Sequence, residues 1–332
     1  MTAQRSKETR WHRVQPLPWP SDRPFKILSL DGGGIRGLFT AKFLSEIEAE
    51  LCNGQPLWSY FDMIAGTSTG GILGLGLAAD IQARHLFELY VNRGSEIFQK
   101  PKNPKSPLNW RSTMHDRRPL EDLVEKALGH RKFGDSLTRM VIPGVDDFPE
   151  PVMRKTAHHS DYKRDWSRKA YKVALETSAA PLYLGGFEDG ERTYLDGGLF
   201  INNPIMAAVT EALTSYDIER GQIQVLSIGT GHLDKEILRK NAKAGSMWWA
   251  GAALDISSRL QSHNAIGQAG LLIGRQNIVR VDPTLKTDIA MDDYQQSLIR
   301  LVPQAELEFQ HWRADLEHFF TDQVEPYTRC YE

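Results

Sequence analysis

KILSLDGGGIRG (Lys26–Gly37) and YFDMIAGTSTGG (Tyr60–Gly71) decide how this chain folds. Each runs from a short apolar segment into glycines and then into a helical pattern. Beyond the first, Ala41, Leu44, Ile47 and Leu51 recur at spacings of three and four, which marks one face of a helix. Beyond the second comes the glycine-rich helix GGILGLGLAA. Phe61–Ala79 is apolar enough to raise a membrane span, which needs about 20 mostly apolar residues. It carries Asp62, Thr67, Ser68, Thr69 and five glycines, so a buried strand, turn and helix fits better.

The alternation continues outward. Asp80–Phe98 and Pro119–Leu128 read as helices, the second with proline at its first position. RMVIPGV (Arg139–Val145) reads as a strand and PVMRKT (Pro151–Thr156) as its partner. AYKVALETSAAP is ambiguous between strand and helix, and its alanines and Pro181 favour helix. RTYLDGG is a strand ending in a turn, Asn203-Pro204 opens a helix, and QIQVLSIGTG (Gln222–Gly231) is the last strong strand. This order predicts an α/β fold with a mainly parallel sheet covered on both faces. After Gly231 the pattern is largely helical, with Leu254–Gly270 and Pro303–Phe320 flanking the strand NIVRV. The organisation expected is an arm over 1–24 packing through Trp11 and Trp19, a core over 25–230, and a helical region over 231–332 packed on that core.

With 332 residues, 41% hydrophobic and 25% charged, the chain can bury a sizeable core. A net charge of −2 lacks the basic excess of a dedicated DNA or RNA binder. Two cysteines, Cys52 and Cys330, imply no disulfide framework and point to a reducing cytoplasm. The first residues hold charges and no apolar core of a signal peptide.

Gly32, Gly34 and Gly37 spell G-x-G-x-x-G between strand and helix, the setting of a dinucleotide fingerprint. That reading also needs an acid at the end of the second strand. Here the strand ends in Gly-Thr-Ser-Thr-Gly. Glycine amides at a helix start can instead hold a developing oxyanion. The plainer alternative is a tight turn, for which one glycine suffices. GTSTG fits G-x-S-x-G, with Gly66 and Gly70 giving room for a sharp strand-to-helix elbow and Ser68 exposed at its tip; a serine that merely caps the helix is the alternative. Ser68 needs a base. The later histidines His232, His263, His311 and His318 lie in loop or helical patterns and suit surface roles better. Asp196 ends a strand at DGG, where burial would raise its basicity; a turn-initiating Asp before two glycines is the bland reading.

DGGGIRG at 31–37, GTSTGG at 66–71 and DGG at 196–198 together resemble the patatin-like phospholipase family, as do TSAAPLYL at 177–184 and the INNP after DGGLF. The resemblance covers roughly 25–230. It implies a three-layer α/β/α fold and acyl-ester hydrolysis on phospholipids or neutral lipids, with no metal or other cofactor. Carried over by position, Ser68 is the nucleophile, Asp196 the base, and Gly32, Gly33 and Gly34 the oxyanion hole, with Arg36 beside it. The overall layout is also similar to bacterial patatin-like effectors switched on by cyclic nucleotides in antiphage defence. That implies a phospholipid membrane surface as substrate, a cyclic nucleotide activator, action at the inner membrane surface, a regulatory role for 231–332, and a candidate homo-oligomer. Two alternatives stay open: an unregulated serine esterase, and a nucleotide-binding protein that uses the glycine loop without hydrolysis.

Two basic loops offer phosphate contacts. One holds Lys100, Lys102, Lys105, Arg111, Arg117 and Arg118; the other holds Arg154, Lys155, His158, His159, Lys163, Arg164, Arg168 and Lys169, with Tyr162 and Trp166 between them. Arg154, Lys155, His158 and Arg164 are the candidate ligand or headgroup contacts; a solvated charged loop is the bland reading. Met247, Trp248 and Trp249 are either core or an interfacial anchor.

Overall fold

The computed structural model describes residues 14–99, 113–233 and 246–331, from the backbone alone at 246–252 and 254. In chain order the main elements are β1 (Phe25–Leu30), α1 (Gly37–Glu50), β2 (Met63–Gly66), α2 (Thr69–Ala78), α3 (Ala83–Ile97), α4 (Arg118–Leu128), β3 (Arg139–Asp146) and β4 (Pro151–Lys155). There follow α5 (Ala170–Thr177), β5 (Phe187–Asp189), β6 (Arg192–Asp196), α6 (Ile205–Ser215), β7 (Ile223–Ile228), α7 (Ser246–Ile273), β8 (Ile278–Val281) and α8 (Val302–Leu316).

The eight strands form one sheet. β8, β7, β1, β2 and β3 run parallel as neighbours, while β4 and β6 pair antiparallel with β3 and β5 pairs with β6. Side chains alternate across it with the strand period of two. Phe25, Ile27, Met63, Ala65, Val141 and Val225 face α6 and α7. Leu28, Leu30, Ile64, Met140, Leu226 and Ile228 face the other way, toward α1, α2, α3 and α8. The result is a three-layer α/β/α arrangement, which is why β1 is buried at every position. Each large apolar side chain buried in this way contributes roughly 1.5–3 kcal/mol.

AYKVALETSAAP forms α5 up to Thr177, as its alanines suggested. The second strand starts at Met63, three residues later than expected. Pro56 opens a 3₁₀ turn over Leu57–Tyr60, and the Tyr60 hydroxyl donates to Cys52 O at 2.9 Å. α7 begins at Ser246, earlier than the apolar pattern marked. The C-terminal third shares the layers of the rest: β8 extends the sheet beside β7, and Phe309 of α8 packs edge-on to Phe43 of α1. Of the arm, Trp19 packs on Phe25 and Tyr216 at ring distances of 4.7 and 5.4 Å; Trp11 lies outside the described residues. Cys52 and Cys330 are both free thiols. Among the described residues no helix is long and apolar enough to cross a membrane.

The register of β3 positions the site. Gly144 and Val145 pair with β4 on one edge and with β6 on the other. Val141 pairs with β4 and with Ala65 of β2. β2 and β6 therefore share one edge of β3. β2 runs parallel to β3 along Arg139–Val141, and β6 runs antiparallel along Gly144–Asp146. Their C-terminal ends point at each other across Ile142 and Pro143. The turn after β2 carries Ser68, and the last residue of β6 is Asp196.

Candidate active site

Ser68 sits at φ 53° and ψ −120°, a backbone conformation that a non-glycine residue adopts at a cost of order 1–3 kcal/mol. The turn closes only because its neighbours lack side chains. A Cβ on Gly66 would stand 2.3 Å from Gly70 O, and one on Gly70 would stand 2.3 Å from Leu30 O. The hydroxyl of Thr177 accepts the Ser68 N–H at 3.1 Å and donates to Pro143 O, tying the elbow to β3. Ser68 precedes α2, so its hydroxyl lies at the positive end of that helix.

The Ser68 hydroxyl donates to Asp196 Oδ2 at 2.7 Å across 128 positions of sequence. Asp196 Oδ1 accepts the Gly198 N–H at 2.7 Å, and its own N–H donates to Ala179 O. A Cβ on Gly197 would stand 2.4 Å from Pro143 O, so DGG needs its first glycine to bring β6 this close. Burial raises the Asp196 pKa to about 6; the Gly198 amide and the Ser68 hydroxyl oppose the rise. The carboxylate is ionised at neutral pH, yet more basic than an ordinary one.

The glycine loop faces this pair. A Cβ on Gly32 would stand 3.4 Å from Ser68 Cβ and 2.7 Å from Asn202 Oδ1. Gly34 takes a positive φ of 58°, with Met291 O where a side chain would go. The three amides are not equivalent. Gly32 N–H donates to Asn202 O at 3.0 Å, whereas Gly33 and Gly34 donate to no acceptor among the described residues. Asp31, which precedes them, is clamped by Arg280 of β8 at 2.9 and 2.7 Å and accepts from Ser262 of α7. Arg36 departs from the expectation. Its side chain lines a neighbouring cavity and reaches Asp255 at 3.3 Å.

The walls around Ser68 are apolar: Ile72, Ile97, Phe98, Leu123, Tyr183 and Met291. The TSAAPLYL string supplies Ser178, Ala180, Pro181, Tyr183 and Leu184 to this lining. Among the described residues no histidine lines it, and His232 is engaged by Asp282 at 3.1 Å. INNP holds the floor: Thr67 Oγ1 donates to Ile201 O, and Asn203 Oδ1 accepts the Ile205 N–H.

The second basic loop is a correction to the phosphate expectation. Arg154 is buried between Glu176 and Asp165, both at 2.8 Å. Lys155 pairs with Glu211 at 2.5 Å, His158 meets the same carboxylate at 3.0 Å, and Arg164 pairs with Asp165 at 2.8 Å. Arg154 and His158 are buried against these carboxylates and Lys155 is paired in the same cluster, whereas Arg164 is half exposed beside Asp165. Of the first loop, Arg117 donates to Leu184 O and Arg118 pairs with Asp116. Lys100, Lys102, Lys105 and Arg111 lie outside the described residues, as do the side chains of Met247, Trp248 and Trp249.

The family model of patatin-like phospholipases matches residues 28–209. The chain belongs to the patatin-like phospholipase family. It is an α/β serine hydrolase of the phospholipase class. Among its relatives, a cGAMP-activated phospholipase of Escherichia coli (strain TW11681) is 29% identical over 351 residues, covering 93% of this chain and 96% of that protein. A cGAMP-activated phospholipase of Vibrio cholerae serotype O1 is 33% identical over 302 residues, covering 80% and 84%. One from Pseudomonas aeruginosa is 37% identical over 209 residues, covering 62% of each chain.

Sequence reasoning missed Thr177 as the brace of the elbow, and Arg280 as the clamp of the loop. An arginine inside the apolar strand NIVRV was the available signal for the second.

Proposed function

We propose that this patatin-like phospholipase cleaves acyl esters of membrane phospholipids through Ser68 and Asp196, and that a cyclic nucleotide switches it on. The hydrogen bond of 2.7 Å between the strained serine and the buried carboxylate carries the catalytic part. Ser68 Oγ attacks the acyl carbonyl carbon while its proton passes to Asp196 Oδ2. The carbonyl oxygen becomes an oxyanion and takes the N–H groups of Gly33 and Gly34. The adduct collapses, the ester C–O bond breaks, and Asp196 returns the proton to the leaving alkoxide. Water then attacks the acyl-serine and gives its proton to Asp196; fatty acid leaves and Ser68 regains its hydrogen. Gly32 N–H is already engaged by Asn202 O, which leaves the Gly33 and Gly34 amides as the free donors of the loop. The apolar walls suit the acyl chain, and the headgroup stays toward the membrane surface.

Activation rests on the relatives, which are cGAMP-activated phospholipases. The test is fatty-acid release from phosphatidylethanolamine and phosphatidylglycerol vesicles, with and without cGAMP. Release that needs Ser68 and rises with the nucleotide is expected. Release that survives Ser68→Ala refutes the catalytic part. Full Ser68-dependent release with no response to cGAMP refutes the activation alone.

A further inference from the structure

A second cavity adjoins the acyl cavity, and Asn202 and Ser258 line both. Its walls come from the glycine loop, the segment after β7 and the middle of α7; Arg36, His232, Arg259 and His263 line it. Arg36 is the anomaly there. Its residue is 7% exposed, and its Nε is buried with no acceptor among the described residues. Among the described residues the guanidinium makes one long contact, 3.3 Å to a carboxylate of Asp255 that is itself 53% exposed. Arg280 nearby shows the contrast, with its donors on Asp31, Ser227 and Asp282 at 2.7–3.1 Å. A buried donor left without a partner is costly, and more so when it carries charge. The Nε–Nη edge of a guanidinium fits two phosphate oxygens side by side.

The remaining wall also carries Asp31, Asp282 and Asp288, of which Arg280 pairs the first two, and beside them stand groups that suit the rest of a nucleotide. Arg259 stands one turn after Asp255 on α7 and donates to Leu233 O. His232 and His263 place imidazole rings edge-to-face at 6.0 Å, flat surfaces of the kind on which bases stack. The position also supplies a route to catalysis. Arg36 closes the single turn Gly34–Arg36 that carries an oxyanion amide, and Asp255 ties that turn to α7.

We infer that this cavity holds a cyclic dinucleotide, with Arg36 and Arg259 on its phosphodiesters and Asp255 as the carboxylate that Arg36 exchanges for phosphate. The inference rests on the activation proposed above and names its site. Exchange of partners on Arg36 frees the glycine-loop turn from α7, and the ligand's better fit to that state is the free energy that activates.

Isothermal titration of the full chain with cGAMP tests it, with folding of each variant checked by its thermal melt. Arg36→Gln and Arg259→Gln should each weaken binding on the order of tenfold or more, the usual scale for losing a charge-assisted phosphate contact. Asp255→Asn should tighten it about threefold, because the competing anion is gone. If Arg36→Gln does not fold, the opposite shifts at Arg259 and Asp255 still decide. Wild-type affinity in the folded variants places the nucleotide elsewhere and leaves activation intact. A wild-type chain that binds no cGAMP removes the activation reading, and this site with it.

Discussion

Replacing Asp196 by Asn should make the protein more stable and nearly inactive, and the gain in stability should depend on pH. Asn keeps the shape, and its Oδ1 can still accept from Gly198 N–H as Asp196 Oδ1 does at 2.7 Å. What disappears is a buried charge. The native pKa is raised to about 6 from 3.8, so the folded state holds the ionised form at a penalty. A shift of about two pKa units corresponds to about 3 kcal/mol. Because the native value lies above the unfolded one, that penalty is fully present above pH 6 and fades as the pH falls through the window from 6 to 4. Asp196→Asn should thus gain about 3 kcal/mol at pH 8 and almost nothing below pH 4. With about 2.1 cal/mol/K of unfolding entropy per residue, the gain is about 4 °C in Tm for this chain at pH 8. Over the same change kcat/KM should fall about 10²–10⁴-fold, the usual contribution of a positioned base. Calorimetric melts at pH 8 and pH 4, alongside vesicle hydrolysis, supply the readings. A variant that is less stable than wild type at pH 8, or equally stabilised at both pH values, contradicts the buried-charge argument.

Four further outcomes follow from the same geometry. In wild type, kcat/KM should climb about tenfold per pH unit up to about pH 6 and then level off, since the base must be ionised; a profile flat down to pH 5 would assign the limb elsewhere. Gly70→Ala drives a methyl against Leu30 O, 2.3 Å away, and should open the elbow, with kcat down more than about 10²-fold and a lower melting temperature. Arg280→Met leaves the carboxylate of Asp31 buried without its clamp, so a loss of about 3–5 kcal/mol in urea unfolding is expected, with kcat falling more than KM changes. Ile72→Trp fills the acyl cavity and should cut hydrolysis of long-chain esters at least about tenfold while a short acetate ester reacts nearly as before.

What could be read in advance followed from local chemistry. The strand-glycine-helix units of Lys26–Gly37 and Tyr60–Gly71 need no distant partner to be recognised, and both stand as read apart from a strand shortened by Pro56. The pairing of Ser68 with Asp196 came from motif order; its cause, two strands whose C-terminal ends meet on one edge of β3, is a matter of register that no local pattern carries. The basic loop misled for the same reason. Arg154 and Lys155 look like free cations until Glu176 and Glu211, 22 and 56 positions on, are folded against them. The family resemblance places Arg36 beside the oxyanion hole, but the turn after Gly34 aims its side chain at α7.

Labelling with a fluorophosphonate ester, read by peptide mass spectrometry in wild type and Asp196→Ala, tests the shared hydroxyl and carboxylate most directly. The adduct should map to Ser68 alone, and its rate should drop at least about 10²-fold in the variant while the variant stays folded. An adduct on another serine, or unchanged labelling of Ser68 without Asp196, would contradict a reaction run by these two side chains.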